Sequence, residues 1–164
     1  MRVSQALLVG ALTAACARNA VDELAPRDRA LIDRWLVCIE CDAALDSLRA
    51  LGSRAPALTI DALDIALRKG PAAPSITSAE SVLKVSYVRD SMFVARTGQS
   101  PIPGRDAYAH ERRDRYRIGY QVRGAIGLGW IGTSSAKARL DSAAALPLAA
   151  AVLTSVAYAR DSLP

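Results

Sequence analysis

The chain has 164 residues, 51% of them hydrophobic and 23% charged, with a formal net charge of +5 at pH 7. That length suits one domain with a real core and is short for two. The positive excess is mild and acids are interspersed throughout, which argues against nucleic acid as a partner.

The N-terminus begins with a short positive segment, Met1-Arg2, followed by the apolar run Ala6-Leu7-Leu8-Val9-Gly10-Ala11-Leu12. Such a run is too short to span a bilayer permanently, so residues 1–15 are expected to be a signal peptide. Thr13-Ala14-Ala15-Cys16 resembles the lipobox of bacterial lipoproteins, with Thr13 in the place usually held by leucine. The resemblance implies cleavage before Cys16 and a diacylglyceryl group on its sulfur; an ordinary secretory signal cut elsewhere is the alternative. Ala17 in place of Asp implies the outer membrane, facing the periplasm, if the organism has two membranes. Residues 16–25 are then a lipidated N-terminus and linker, and 26–164 a single domain. No later stretch is apolar enough to span, the best being the Ala-rich segment from Leu148 to Tyr158.

The punctuation after the linker is helical. Pro26 suits a first helical turn, and Leu31, Ile32, Trp35, Leu36 and Ile39 make one apolar face, predicting a helix from Arg27 to about Glu40. Asp42 is expected to cap the next helix, which carries Leu45, Leu48 and Leu51 and stops at Gly52. A third opens near Pro56, presents Ile60, Leu63 and Leu67, and closes at Arg68-Lys69-Gly70-Pro71. Thr77-Ser78-Ala79-Glu80 reads as a capping box, after which Val85, Val88 and Met92 carry an apolar stripe through to Gly98. Pro101 and Pro103 mark a loop. A long segment from about Asp106 to Trp130, a helix from Ser135 to Ala144 and a last one after Pro147 complete the chain. Residues 116–123 alternate apolar and polar as a half-buried strand would. A helix is the preferred reading, since a single strand would have no partner.

Leu48, Leu51 and Gly52 align with Leu128, Ile131 and Gly132, each set ending a helix before a few small residues and a second helix. This resembles the HEAT-like repeat of the phycobilisome-lyase type, over residues 43–69 and about 118–160. The resemblance implies an all-α fold, a short α-solenoid-like stack of antiparallel helix pairs with Gly52 and Gly132 as repeat turns. It also implies an interaction scaffold with no transferable catalytic residue. The usual binding face of such a stack would expose Asp61, Asp64, Arg139 and Asp141.

Gly127-Leu128-Gly129-Trp130-Ile131-Gly132 is a literal G-x-G-x-x-G, but no acid follows at the spacing a dinucleotide ribose requires, and Gly132 is expected to close a helix where that motif would open one. Gly127 and Gly129 are read as close-approach positions, and no nucleotide is expected. Cys38-Ile39-Glu40-Cys41 carries the one evident chemistry. With Cys16 lipidated, Cys38 and Cys41 form an even pair that suggests a mutual disulfide in an oxidising compartment, either a staple between two helices or a redox site, with free or metal-bound thiols as the remaining alternative. Glu40 between the sulfurs argues against reactivity, because it raises a thiol pKa. Asp42 stands where c-type haem would need histidine, and with His110 as the sole histidine there is no second ligand pair for zinc. His110 lies in a charged run and suggests no triad. The expectation is therefore a lipid-anchored envelope scaffold with a protein partner, and no catalytic residue, metal or cofactor; a thiol-disulfide oxidoreductase using Cys38 and Cys41 is the alternative.

Overall fold

The computed structural model describes residues 24–99 and 101–163, and of 73–81 the backbone alone. The expected signal peptide and the lipidation site Cys16 lie outside the described residues. Those residues form an all-α stack of seven helices: α1 Pro26–Val37, α2 Asp42–Arg54, α3 Pro56–Lys69, α4 Ala73–Thr97, α5 Arg105–Ile131, α6 Ser134–Ala144 and α7 Ala150–Ser162. None of them is long and apolar enough to cross a membrane.

Prolines and glycines set most of the boundaries. Pro26 and Pro56 open α1 and α3, where a missing N–H costs nothing. Gly70, Gly98 and Gly132 take positive φ just past α3, α4 and α5. Thr133 caps α6 by accepting from the Ala136 N–H at 3.3 Å.

Several expectations change. Helix α1 stops at Val37, because Cys38 is already extended, and Ile39 is 95% exposed where the stripe had placed it inward. Cys41, not Asp42, occupies the N-cap of α2; Asp42 instead puts its charge in the first turn, where the helix dipole favours an acid. Gly52 is not a turn residue. It lies inside α2, which continues to Arg54 and ends at Ala55, since a residue before proline is pushed out of the helical region. Its role is proximity: a Cβ on Gly52 would lie 3.1 Å from Ile131 Cγ1. Thr77 to Glu80 do not start α4, which has already begun at Ala73 with a proline in its first turn. Residues 116–123 are helical throughout, as part of α5.

Helix α5 is the axis of the molecule and packs on every other described helix. Its C-terminal half supplies Ala125 and Leu128 to a core that also takes Trp35 and Leu36 from α1, Leu48 and Leu51 from α2, Leu63 and Leu67 from α3, Leu140 from α6 and Val152 and Val156 from α7. Close approach is made possible by glycine. A Cβ on Gly124 would meet Leu67 N at 2.8 Å and Leu63 O at 2.9 Å, so α3 lies backbone to backbone against α5. The buried Gln121 side chain spans the same contact, donating to Leu67 O at 3.0 Å and satisfying a carbonyl near the end of α3.

The N-terminal half of α5 leaves this core. Between residues 72 and 117 no described side chain joins the core cluster, and α4 leans on α5 and on no other helix to a comparable extent. Together α4 and the first half of α5 make a two-helix arm. At ~1.5 Å per residue, that half of α5 is ~20 Å long.

Candidate functional site

The glycine-rich end of α5 is a packing device. Gly127 lies one turn after Arg123, and a Cβ there would lie 2.8 Å from Trp35 Nε1. With no side chain in the way, the buried Trp35 indole donates to Arg123 O at 2.9 Å. Gly129 lets α7 approach, since its Cβ would meet Ala159 O at 2.8 Å, and Gly132 ends the helix at φ 66°. The three glycines of the G-x-G-x-x-G thus seat an indole, admit a helix and close one.

The same turn holds the cysteine pair. Cys38 and Cys41 are joined as a disulfide with their Cα atoms 5.4 Å apart, bridging the end of α1 to the N-cap of α2. Arg123 clamps this junction: its Nη1 lies 2.9 Å from Cys38 Sγ and also contacts Cys41 Sγ, while Nη2 donates to Cys38 O at 3.0 Å. Its guanidinium carbon lies 5.6 Å from the centre of the Trp35 ring, within cation–π range. A cation against both sulfurs opposes the effect expected of Glu40, because it would stabilise a thiolate if the bond were reduced. Both sulfurs are half-buried, and the Ile39-Glu40 link between them is exposed.

The residues expected to form a scaffold's binding face are instead paired among themselves. Arg139 of α6 reaches Asp61 at 2.7 Å and Asp64 at 3.4 Å on α3, and Arg68 holds the buried Asp64 at 2.7 Å. Asp141 remains on the surface, 4.0 Å from Arg160. His110 is likewise on the surface, 3.2 Å from Asp114.

The arm is knotted at Asp90. Its carboxylate accepts from Tyr108 Oη at 2.7 Å and Arg112 Nη2 at 2.8 Å across the two helices, and from its neighbour Arg89 at 3.1 Å. These donors, the Tyr108 hydroxyl first, hold its pKa below the usual carboxylate range. Tyr108 is buried and meets Tyr87 edge to face at 5.2 Å. From Val82 to Phe93 the outward face of α4 is exposed. Val82, Val85, Val88, Met92 and Phe93 are each 52% to 71% exposed, so the apolar stripe of Val85, Val88 and Met92 lies on the surface. At the helical period these five cover an arc of roughly 140°. Arg89 and Arg96 fall inside that arc.

A cleft of about 380 Å³ lies at the foot of the arm, lined by Leu24, Ile32, Asp33, Lys69, Pro71 and Tyr120 among others. Burial pushes the Tyr120 phenol up to about 12, with further contributions from Asp33 and Tyr116. Burial also raises the Asp33 carboxyl, against the pull of Arg29. Among the described residues no group of three His, Cys, Asp or Glu is placed to hold a metal ion.

Sequence reasoning missed two features of the candidate site. Arg123 is separated from the cysteines by more than 80 residues and no local signal marks it. The arm's face showed itself as an apolar stripe, but a stripe says nothing of what covers it. Compared with family models, curated proteins and solved structures, the chain matches none of them.

Proposed function

We propose that the protein is an interaction module of the bacterial envelope, tethered by lipid at Cys16, with the α4–α5 arm as its docking element. The observation that carries this reading is the row of large apolar side chains on α4, left exposed although the core is complete without them. Contiguous exposed apolar surface on a folded chain marks a place where something binds. The Asp90 knot supports the same reading, since it holds the arm in shape without spending that face.

Two measurements in cells test it. Labelling with a fatty-acid analogue should mark the wild-type chain, while Cys16→Ser should lose the label and enter the soluble fraction. A photo-reactive side chain at Val88 should form adducts that the same group at the exposed Ala138 of α6 does not. Equal adducts at both positions, or none at Val88, would overturn the docking role.

A second reading has one specific observation in its favour. The Arg123 guanidinium against both sulfurs, with Cys41 at a helix N-terminus, is the kind of electropositive setting that activates thiols. The Cys38–Cys41 reduction potential separates the two roles. A value below about −300 mV marks a structural staple, and one between roughly −120 and −270 mV an oxidoreductase.

A further inference from the structure

Helix α4 is 25 residues long and packs chiefly on α5. The outward face carries Val82, Val85, Val88, Met92 and Phe93, with Arg89 and Arg96 set among them. No acid falls in that arc between residues 82 and 97. Of the two acids of α4, Glu80 precedes that range, and Asp90 is turned inward toward Tyr108 and Arg112 and shared with Arg89. The neighbouring half of α5 adds Arg105, Arg112, Arg113, Arg115 and Arg117 against Asp106, Glu111 and Asp114; Arg112, Arg115 and Arg117 are ion-paired with Asp90, Glu111 and Asp114, yet cations outnumber acids over the arm as a whole. An open face that mixes apolar groups with guanidinium groups offers a bilayer two contacts at headgroup level, apolar area along the side chains and cations for anionic lipid. A protein surface would need a matching apolar and acidic patch, whereas an anionic bilayer provides both components everywhere.

The position of the arm agrees with this chemistry. Leu24 is buried in the cleft at the foot of α4, beside Pro71 and Ala72. It is eight residues after Cys16, so the chain between them can span at most about 28 Å. A lipid on Cys16 would therefore hold the root of the arm within that distance of the bilayer. We infer that the exposed face of α4 docks on the anionic headgroup surface of the membrane that anchors the chain, making a second, peripheral attachment beside the lipid. This inference rests on the docking role proposed above for the arm, and on the Cys16 tether only for the distance.

The test is partitioning of the full chain carrying Cys16→Ser, which removes the acyl anchor, onto vesicles. Phosphatidylglycerol vesicles are compared with phosphatidylcholine vesicles by flotation. The parent should prefer the anionic vesicles, and its binding should weaken as salt is raised. The pair R89Q and R96Q, remote from the core, should lower partitioning about 30-fold, at roughly fivefold per cation. V85D with M92D should lower it on both kinds of vesicle. Circular dichroism checks that each variant keeps its helix content, and comparison within one background cancels any contribution of residues 1–15. Equal partitioning of parent and both variants would overturn the inference. So would protein-only adducts at Val88 in cells, though that result would leave the docking role intact; failure of the docking role itself would appear as no Val88-specific adducts.

Discussion

Gly119 and Gly124 are both helical glycines of α5, and a methyl group would act on them in opposite directions. Nothing lies within 4 Å of a Cβ on Gly119, whereas one on Gly124 would strike the α3 backbone at 2.8 Å. Gly119→Ala should therefore stabilise the chain by about 0.5–1 kcal/mol, through helix propensity alone. Gly124→Ala should cost about 1–3 kcal/mol, because backbone cannot move aside as a flexible side chain can. Urea unfolding measures both, and a neutral Gly124→Ala would mean that α3 and α5 are not in backbone contact. Tyr120 gives a second residue-scale prediction. Its folded pKa of about 12 lies above the unfolded value of ~10, so folding favours the neutral phenol. The contribution is fully present below pH 10 and is lost as the pH rises towards 12. Tyr120→Phe should flatten the stability profile in that window; an unchanged profile would show that Tyr120 is solvated.

At the scale of elements, the helix boundaries show what sequence can convey. Those marked by Pro56, Gly70 and Gly132 were legible, because each of these residues restricts or permits a particular backbone conformation regardless of the rest of the fold. Gly52 was misleading for the same physical reason: glycine permits a stop without requiring one, and the constraint of Pro56 on Ala55 acts three residues later. The junction of α1 and α2 is a small covalent loop, so reducing Cys38–Cys41 should cost about 2 kcal/mol in the chain-entropy account. Thermal melts with and without dithiothreitol would show it, and no shift would mean that the Arg123 clamp holds the reduced junction equally well. In the arm, Asp90→Asn should speed amide exchange in α4 and leave the amides around Leu63 and Leu128 unchanged, since the knot is separate from the core. Acid should act in the same way. With its pKa lowered on folding, Asp90 contributes above its unfolded value of ~3.9, and that contribution fades as the pH falls through the folded value.

For the whole molecule, the all-α stack follows from a chain whose apolar residues keep the helical period and whose turns carry proline and glycine. The candidate site was only partly legible. Cys38 and Cys41 are adjacent enough to be paired by inspection, but Arg123 reaches them only because Gly127 lets the Trp35 indole settle on its turn, a relation among distant positions. The arm was hidden for a different reason: Val85, Val88 and Met92 have the spacing of a core stripe, and only the packing of α4 on α5 alone leaves them outside. The central claim is that this face is surplus to folding and kept for docking. It is tested most directly by the melting temperature of the chain carrying V85S, V88S, M92S and F93S together. Exposed substitutions typically stay within about 0.5 kcal/mol each, about 2 kcal/mol for the four, so cooperative melting within about 8 °C of the parent is predicted. A fall of about 15 °C, or loss of cooperativity, would show that these side chains are part of the core and contradict the account.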